Sequence, residues 1–215
     1  EKIIFDGALI IVHGTPGENG LLQGYFDMLN IPYTTCSALV SSITFDKEVC
    51  NALVRSFDIV NVAKNTSVFK DEEFDIDKIE KNISLPLFVK PSEGGSSIGM
   101  SKVTSKEELL PAIEKAFTVH DKVLIEEFIE GREFSCGVMQ VGEKEIIAFP
   151  MTEIISQTAF FDYDAKYNGL SSEITPAEVS PEFMTRVQET TKKLYKRLNC
   201  SGVCRIDFIY REKDD

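Results

Sequence analysis

The chain has 215 residues, 43% of them hydrophobic and 15 Phe among them, enough apolar material for one large domain or two small ones. Its formal charge of −12 comes from 35 acidic against 23 basic residues, and no Lys/Arg cluster is long enough to be a nucleic-acid footprint, so a polyanion-binding role is excluded. A bound nucleotide is not excluded, because a few focused lysines and a divalent cation can hold a triphosphate on an acidic protein.

From Ala8 to His13 an apolar run predicts a buried strand, and Gly14-Thr15-Pro16-Gly17 leads from it into a helix with Leu22, Phe26 and Leu29 on a core-facing stripe. After Ile31-Pro32-Tyr33 a second helix is predicted, with Lys47 in its first turns and Val49, Leu53 and Phe57 four apart on one face. These pieces read as part of an α/β domain. Lys64 to Asn82 mixes charges with little period and is expected to be a joining segment.

Next come a strand at Leu87 to Lys90, a Gly/Ser loop and a strand near Met100 to Val103. Ser105 and Glu108 then form a capping-box pair ahead of a helix with Leu109, Ile113 and Phe117 on its buried face. Strands are predicted at Val123 to Glu126, Glu133 to Val141 and Glu145 to Ile154, the last two joined at Gly142 and therefore antiparallel. The unpatterned stretch Ser156 to Ser172 is expected to be a functional lid. A helix presenting Phe183, Val187, Leu194 and Leu198 precedes a last strand, Gly202 to Tyr210. This second part reads as an α+β unit with antiparallel sheet.

Within LFVKPSEGGSSIG, an apolar strand delivers Lys90 into a loop where Gly94, Gly95 and Gly99 permit positive φ or close approach of an anion, and Ser96 and Ser97 add hydroxyl donors. The string fits a phosphate-gripping loop and equally a Gly-rich hairpin connection; it is neither a Walker loop nor a dinucleotide fingerprint. In VCRIDFIY the alternation of a strand puts Arg205 and Asp207 on one face, where Asp207 suits a hard cation and Arg205 could brace developing negative charge, or the two could simply pair. Glu126 and Glu133 flank the Gly131 bend; alone they read as solvated acids. FFDYDAKYNG combines four aromatics with Lys166 in the lid segment. His13 and Glu18 flank the glycines of HGTPGENG, as a tight turn or as substrate contacts. Five cysteines, an odd count with no C-x-x-C pair, suit reduced thiols in a cytoplasm, and the dissimilar contexts of the two histidines exclude a zinc site on ligand spacing. No apolar run approaches the roughly 20 residues of a membrane span, and Glu1-Lys2 does not open a signal sequence.

In this order HGTPGENGLLQGYFDMLNIPYT, ITFDK, FVKPSEGGSSIGMSKV, LIEEFIEGREF, FFDYDAKYNG and GVCRIDF resemble the motifs of the ATP-grasp superfamily and, within it, the D-alanine–D-alanine ligases of bacterial cell-wall synthesis. The resemblance implies two small antiparallel sheets sandwiching ATP, preceded by part of an α/β domain: residues 1–40 as a partial substrate domain, 41–85 as a helical and linking part, and 86–215 as the nucleotide-binding domain. It implies that Lys47 and Lys90 contact phosphates under the loop of Ser96, Ser97 and Gly99. Glu126 would read the adenine amino group, the backbone near Phe128 the adenine edge, and Glu133 the ribose. Asp207 would hold Mg²⁺ or Mn²⁺ and Arg205 would stabilise the acyl phosphate. Lys166 and Tyr167 would come from the lid, Tyr167 hydrogen-bonded to Ser96, while His13 and Glu18 would lie near the D-alanine sites. The AKY triplet is similar to that of dipeptide-forming rather than D-lactate-using relatives.

Against the family pattern, both ends are expected to be incomplete, so that this piece alone would not ligate D-alanine, and a homodimer would belong to the longer protein. Asn19 stands where Asp is usual, and Val60 to Ala63 lacks the usual prolines. Another ATP-grasp carboxylate–amine ligase and a non-catalytic nucleotide-binding module remain as alternatives.

Overall fold

The computed structural model describes residues 4–142, 145–156 and 171–212. Its elements are α1 (Leu21–Met28), α2 (Ala38–Phe45), α3 (Lys47–Ser56), β1 (Asn65–Phe69), α4 (Ile76–Asn82), β2 (Leu87–Pro91), β3 (Ser101–Val103), α5 (Lys106–Phe117), β4 (Lys122–Glu127), β5 (Arg132–Val141), β6 (Glu145–Ala148), β7 (Thr152–Ser156), β8 (Ser171–Ile174), α6 (Pro181–Arg197) and β9 (Val203–Tyr210).

The strands make two antiparallel sheets, one ordered β1-β4-β2-β3 and one of five strands in which β9 runs along one edge of β5 while β6 and β7 share the other and β8 follows β7. Each sheet is covered on one face by a helix. In the first, alternation sends Leu87, Val89, Val123 and Ile125 toward Leu109 and Ile113 of α5, all at most 1% exposed. In the second, Phe134, Cys136 and Met151 meet Val187 and Phe183 of α6. Antiparallel sheets need only one covered face. That leaves Phe88, Lys90 and Glu126 on the open face of one sheet and Glu133, Arg205 and Asp207 on the open face of the other.

The helix starts follow local chemistry. Glu108 accepts hydrogen bonds from the amides of Thr104 (2.7 Å) and Ser105 (3.3 Å), so the expected capping box is present on α5. Ser180 accepts from the Phe183 amide at 3.2 Å and Pro181 occupies the first position of α6. Asp46 ends α2 and caps α3 through the amides of Glu48 and Val49, so the predicted second helix is α3, starting at Lys47 as expected, and α2 is a separate helix ahead of it.

Four expectations need correction. Ala8 to His13 is not a buried strand: among the described residues it makes one parallel bridge, Ala8 to Tyr33, and without strands on both sides Leu9 and Ile11 stay 72% and 82% exposed. The stripe of α1 is not a core, since Leu29 is exposed and the buried residue is Gln23, held by Gly17 O and Thr35 Oγ1. Lys64 to Asn82 contains β1 and α4, because Val68 packs inward beside β4 and Asp75 caps Ile76 onward. Glu145 to Ile154 is two strands, broken at Phe149-Pro150, where proline cannot donate to a ladder. Residues 157–170, most of the expected lid, lie outside the described residues. Among the described residues no helix is long and apolar enough to cross a membrane.

Candidate active site

The open faces of the two sheets border a cleft of about 1290 Å³. On the first wall, register places Glu126 beside Phe88 and two residue pairs along from Lys90 on the same face, and the Lys90 ammonium pairs with the Glu126 carboxylate. With side chains 13% and 21% exposed, Glu126 and Lys90 are a sheltered ion pair rather than solvated groups. The alternation of β4, which turns Val123 and Ile125 into the core, is what brings Glu126 here.

Lys47 enters from the first residue of α3. Its Nζ donates to Gly94 O at 2.8 Å and Ser92 O at 3.3 Å, tying the helix start to the Gly/Ser loop. Burial, reinforced by the nearby Lys90 charge, brings its pKa down to about 8. Behind it sits a network that sequence reasoning missed. Lys122 pairs with Asp46 and, at 3.1 Å, with Glu48; Ser92 donates to Asp46 at 2.7 Å, and Ser67 to Glu48 at 2.6 Å. Burial pushes the Asp46 carboxyl up, but Lys122, Ser92 and the Val49 amide outweigh it and hold the pKa below the usual range. The available signal was Asp46 itself, an N-cap residue directly before Lys47.

The loop after β2 is shaped by backbone handedness. Gly94 and Gly99 have φ of 100° and 74°, and Ser96 and Ser97 sit at 54° and 57°, a region that L side chains adopt at a cost of order 1–3 kcal/mol each. At Gly99 a Cβ would also lie 2.9 Å from Val119 and 3.0 Å from Pro91, so the position requires glycine. Backbone strain concentrated in a cleft points to function.

On the second wall the cross-strand register sets Ser135 beside both Asp207 and Thr152, Gly137 beside Arg205, and Glu133 beside both Ile154 and Ile209. Arg205 and Asp207 share a face as expected and form a two-pronged pair, Nε to Oδ1 at 2.9 Å and Nη2 to Oδ2 at 3.1 Å. At the cleft margin Arg132 makes a similar fork with the buried Glu153, at 2.7 and 2.8 Å, which sequence reasoning also missed.

His13 and Glu18 join the same cleft. His13 Nε2 lies 3.2 Å from Ser96 Oγ, its Nδ1 lies 3.2 Å from Glu18, and Glu18 also accepts from the Gly14 amide. The tight turn of HGTPGENG with a hydrogen-bonded His13 is present, and it borders the cleft. Of the predicted residues, His13, Glu18, Lys47, Lys90, Ser96, Ser97, Glu126, Phe128, Glu133, Arg205 and Asp207 line one cleft. Gly99 shapes its loop from outside the lining. The Phe128 amide donates to Pro86 O at 3.2 Å. Lys166 and Tyr167 lie outside the described residues.

The donor set fits a nucleotide and a hard cation: cations and a glycine loop on one wall, a carboxylate and a guanidinium on the other. Among the described residues no group of three potential ligand atoms gathers at Asp207. One carboxylate together with phosphate oxygens is a common set for Mg²⁺.

Residues 53–215 match the family model described as D-ala D-ala ligase C-terminus. The chain is 50% identical over 212 residues to the D-alanine–D-alanine ligase of Phocaeicola vulgatus, covering 99% of this chain and 65% of that protein. It is 47% identical over 209 residues to that of Porphyromonas gingivalis, covering 97% and 63%. Among solved structures, the VanG D-Ala:D-Ser ligase of Enterococcus faecalis superposes with a TM-score of 0.88 at 38% identity, covering all of this chain and 62% of that one. The D-alanine–D-alanine ligase of Bacillus anthracis gives 0.82 at 33%, covering 96% and 66%. The chain thus spans about 65% of the length of the curated relatives it matches.

Proposed function

The chain belongs to the D-alanine–D-alanine ligase family, with an ATP-grasp fold, and from that membership we propose that it carries the nucleotide site of an enzyme joining two D-alanines at the expense of ATP. The observation that supports this best is the facing of Lys47, Lys90 and the strained Gly/Ser loop against Arg205 and Asp207 across one cleft. In the reaction, the carboxylate of one D-alanine takes the γ-phosphoryl group, leaving ADP. The amine of a second then attacks the acyl phosphate, forming the peptide bond and expelling phosphate.

Lys47 and Lys90 hold the phosphates; Ser96, Ser97 and Gly99 close over them; Glu126, the backbone near Phe128 and Glu133 receive adenine and ribose. Arg205 and Asp207 satisfy each other in the free protein, so binding exchanges their fork for contacts with a phosphoryl group and a cation. Mg²⁺ or Mn²⁺ held by Asp207 would supply charge neutralisation at the phosphate oxygens. His13, through Ser96, links the D-alanine side, including Glu18, to the loop. Lys166 and Tyr167 complete the proposal from the lid. The division at residues 40 and 85 is part of it, and the pairing of β1 with β4 supports counting 41–85 with the nucleotide unit. Five free thiols suit a reducing cytoplasm.

The test is calorimetric titration with Mg²⁺ and a non-hydrolysable ATP analogue, repeated on Lys90→Ala. Saturable binding that the substitution weakens at least tenfold is expected; unchanged affinity removes Lys90 from the phosphate site. In a protein extended to the length of its relatives, D-alanine-dependent phosphate release with D-alanyl-D-alanine as product is expected. Because VanG is a D-Ala:D-Ser ligase, D-serine belongs in the same assay, and a preference for it would reassign the acceptor. Nucleotide binding with no phosphate release would leave only a binding module.

A further inference from the structure

Three cysteines that are distant in sequence meet behind the cleft. Cys36 precedes α2, while Cys200 and Cys204 flank the turn from α6 into β9, and their sulfur atoms all lie within 4.8 Å of one another. Cys36 Sγ and Cys204 Sγ are 3.4 Å apart, across 168 residues of chain. Among the described residues no other three His, Cys, Asp or Glu ligand atoms gather so closely. Cys204 alternates with Arg205 along β9, so the cluster is on the face of that strand opposite the proposed nucleotide site.

The surrounding backbone holds the sulfurs in place. Gly202, at φ 64°, packs so tightly on residues 34 and 35 that a Cβ there would lie 1.9 Å from Thr34 O. Ser201 Oγ donates to Thr35 O at 3.1 Å, and Tyr195 OH to Gly202 O at 2.9 Å. The Ser201 amide donates to Cys36 Sγ at 3.5 Å, and the Ser201 carbonyl oxygen accepts from Cys36 Sγ at 3.3 Å and Cys204 Sγ at 3.8 Å. Cys36 is buried, and Cys200 and Cys204 are half-buried, so an ion could enter from the turn side.

We propose that Cys36, Cys200 and Cys204 form a binding site for a thiophilic divalent cation, with Zn²⁺ as the ion that this ligand set suits. Metal–sulfur bonds of about 2.3 Å at tetrahedral angles put sulfurs roughly 3.8 Å apart, a few tenths of an ångström from the spacing of Cys36 and Cys204. The fourth position falls to oxygen, from water or from Ser201. Such an ion would clamp the segment before α2 onto the start of the strand that carries Arg205 and Asp207. Ligand spacing along the sequence hid this site, because Cys36 comes from a remote segment.

Protein stripped of metal under reducing conditions is titrated with Zn²⁺ against a chromophoric chelator, and with Co²⁺ as a spectroscopic probe. Expected are one equivalent bound, thiolate-to-cobalt charge-transfer absorption in the near ultraviolet, three of the five thiols protected from a thiol reagent, and a rise in Tm. Cys204→Ser should weaken binding at least tenfold, whereas Cys50→Ser and Cys136→Ser should not change it. Because Cys36 is buried, Cys200→Ser provides a second reading at a half-buried position. The proposal is overturned by absence of the charge-transfer band, by binding that survives both substitutions, or by a stoichiometric Cys36–Cys204 disulfide in protein that retains no zinc.

Discussion

Lys47 is the residue whose titration reports on the cleft. Its native pKa of about 8 is below the ordinary lysine value of about 10.4, so between those limits the unfolded chain holds a proton that the native protein has released. More protons bound by the unfolded state means that stability rises with pH through this window; below about pH 8 both states are charged and the full penalty of burying the ammonium applies. Lys47→Met is expected to flatten the rise of Tm over that range, and an unchanged profile would show that another group is responsible. A polyphosphate beside Lys47 would favour its charged form and draw a proton back. Binding of the ATP analogue at pH 9 should therefore take up close to one proton and at pH 7 almost none, measured by calorimetry in buffers of different ionisation enthalpy. No uptake at pH 9 would place Lys47 away from the phosphates.

At the scale of elements, α3 is aimed by its cap. Asp46→Ala removes the acceptor for two amides, worth about 0.5–2 kcal/mol, and takes one carboxylate from the sheltered Lys122, so a loss of roughly 2–3 kcal/mol is expected in urea denaturation, with weaker nucleotide binding as Lys47 loses its position. Asp46→Asn keeps a capping oxygen and should lose less; equal losses would mean that the charge pair matters little. Ile113→Ala, deep under the first sheet, should cost about 2–5 kcal/mol. Elements with a strong period or cap, such as α5 with Leu109, Ile113 and Glu108, or β9 with its alternation at Arg205 and Asp207, were legible in the sequence. Those defined by what packs on them were not. The Ala8 to His13 run has the composition of a buried strand, yet burial depends on neighbours that no local pattern reports. β1 is short and half polar, and its pairing with β4 is what makes it a strand. At the site, glycines, lysines and paired charges were readable by type. The Asp46–Lys122–Glu48 network and the three-cysteine cluster were not, because each joins residues remote in sequence.

At the scale of the whole molecule, two sheets with separate hydrophobic clusters face each other across a cleft. A ligand that contacts both is linked to the stability of both. Binding only to the native state adds RT ln(1 + [L]/Kd), about 2.7 kcal/mol at one hundred times Kd. With Mg²⁺ and the ATP analogue at that level, Tm should rise by several degrees, and hydrogen exchange should slow in two stretches that the sequence separates: the loop of residues 92–100 and the strand β9. Protection confined to the loop would mean that the nucleotide rests on the first sheet alone, and would remove Arg205 and Asp207 from the phosphoryl site. Asp207→Asn separates cation from nucleotide, because it leaves the first wall intact while taking the charge that suits Mg²⁺. In that variant the analogue alone should stabilise as in the parent, and added Mg²⁺ should contribute little further. If Mg²⁺ stabilises both proteins equally, the cation is held by phosphate oxygens and other groups, and Asp207 serves chiefly to orient Arg205 through their shared fork.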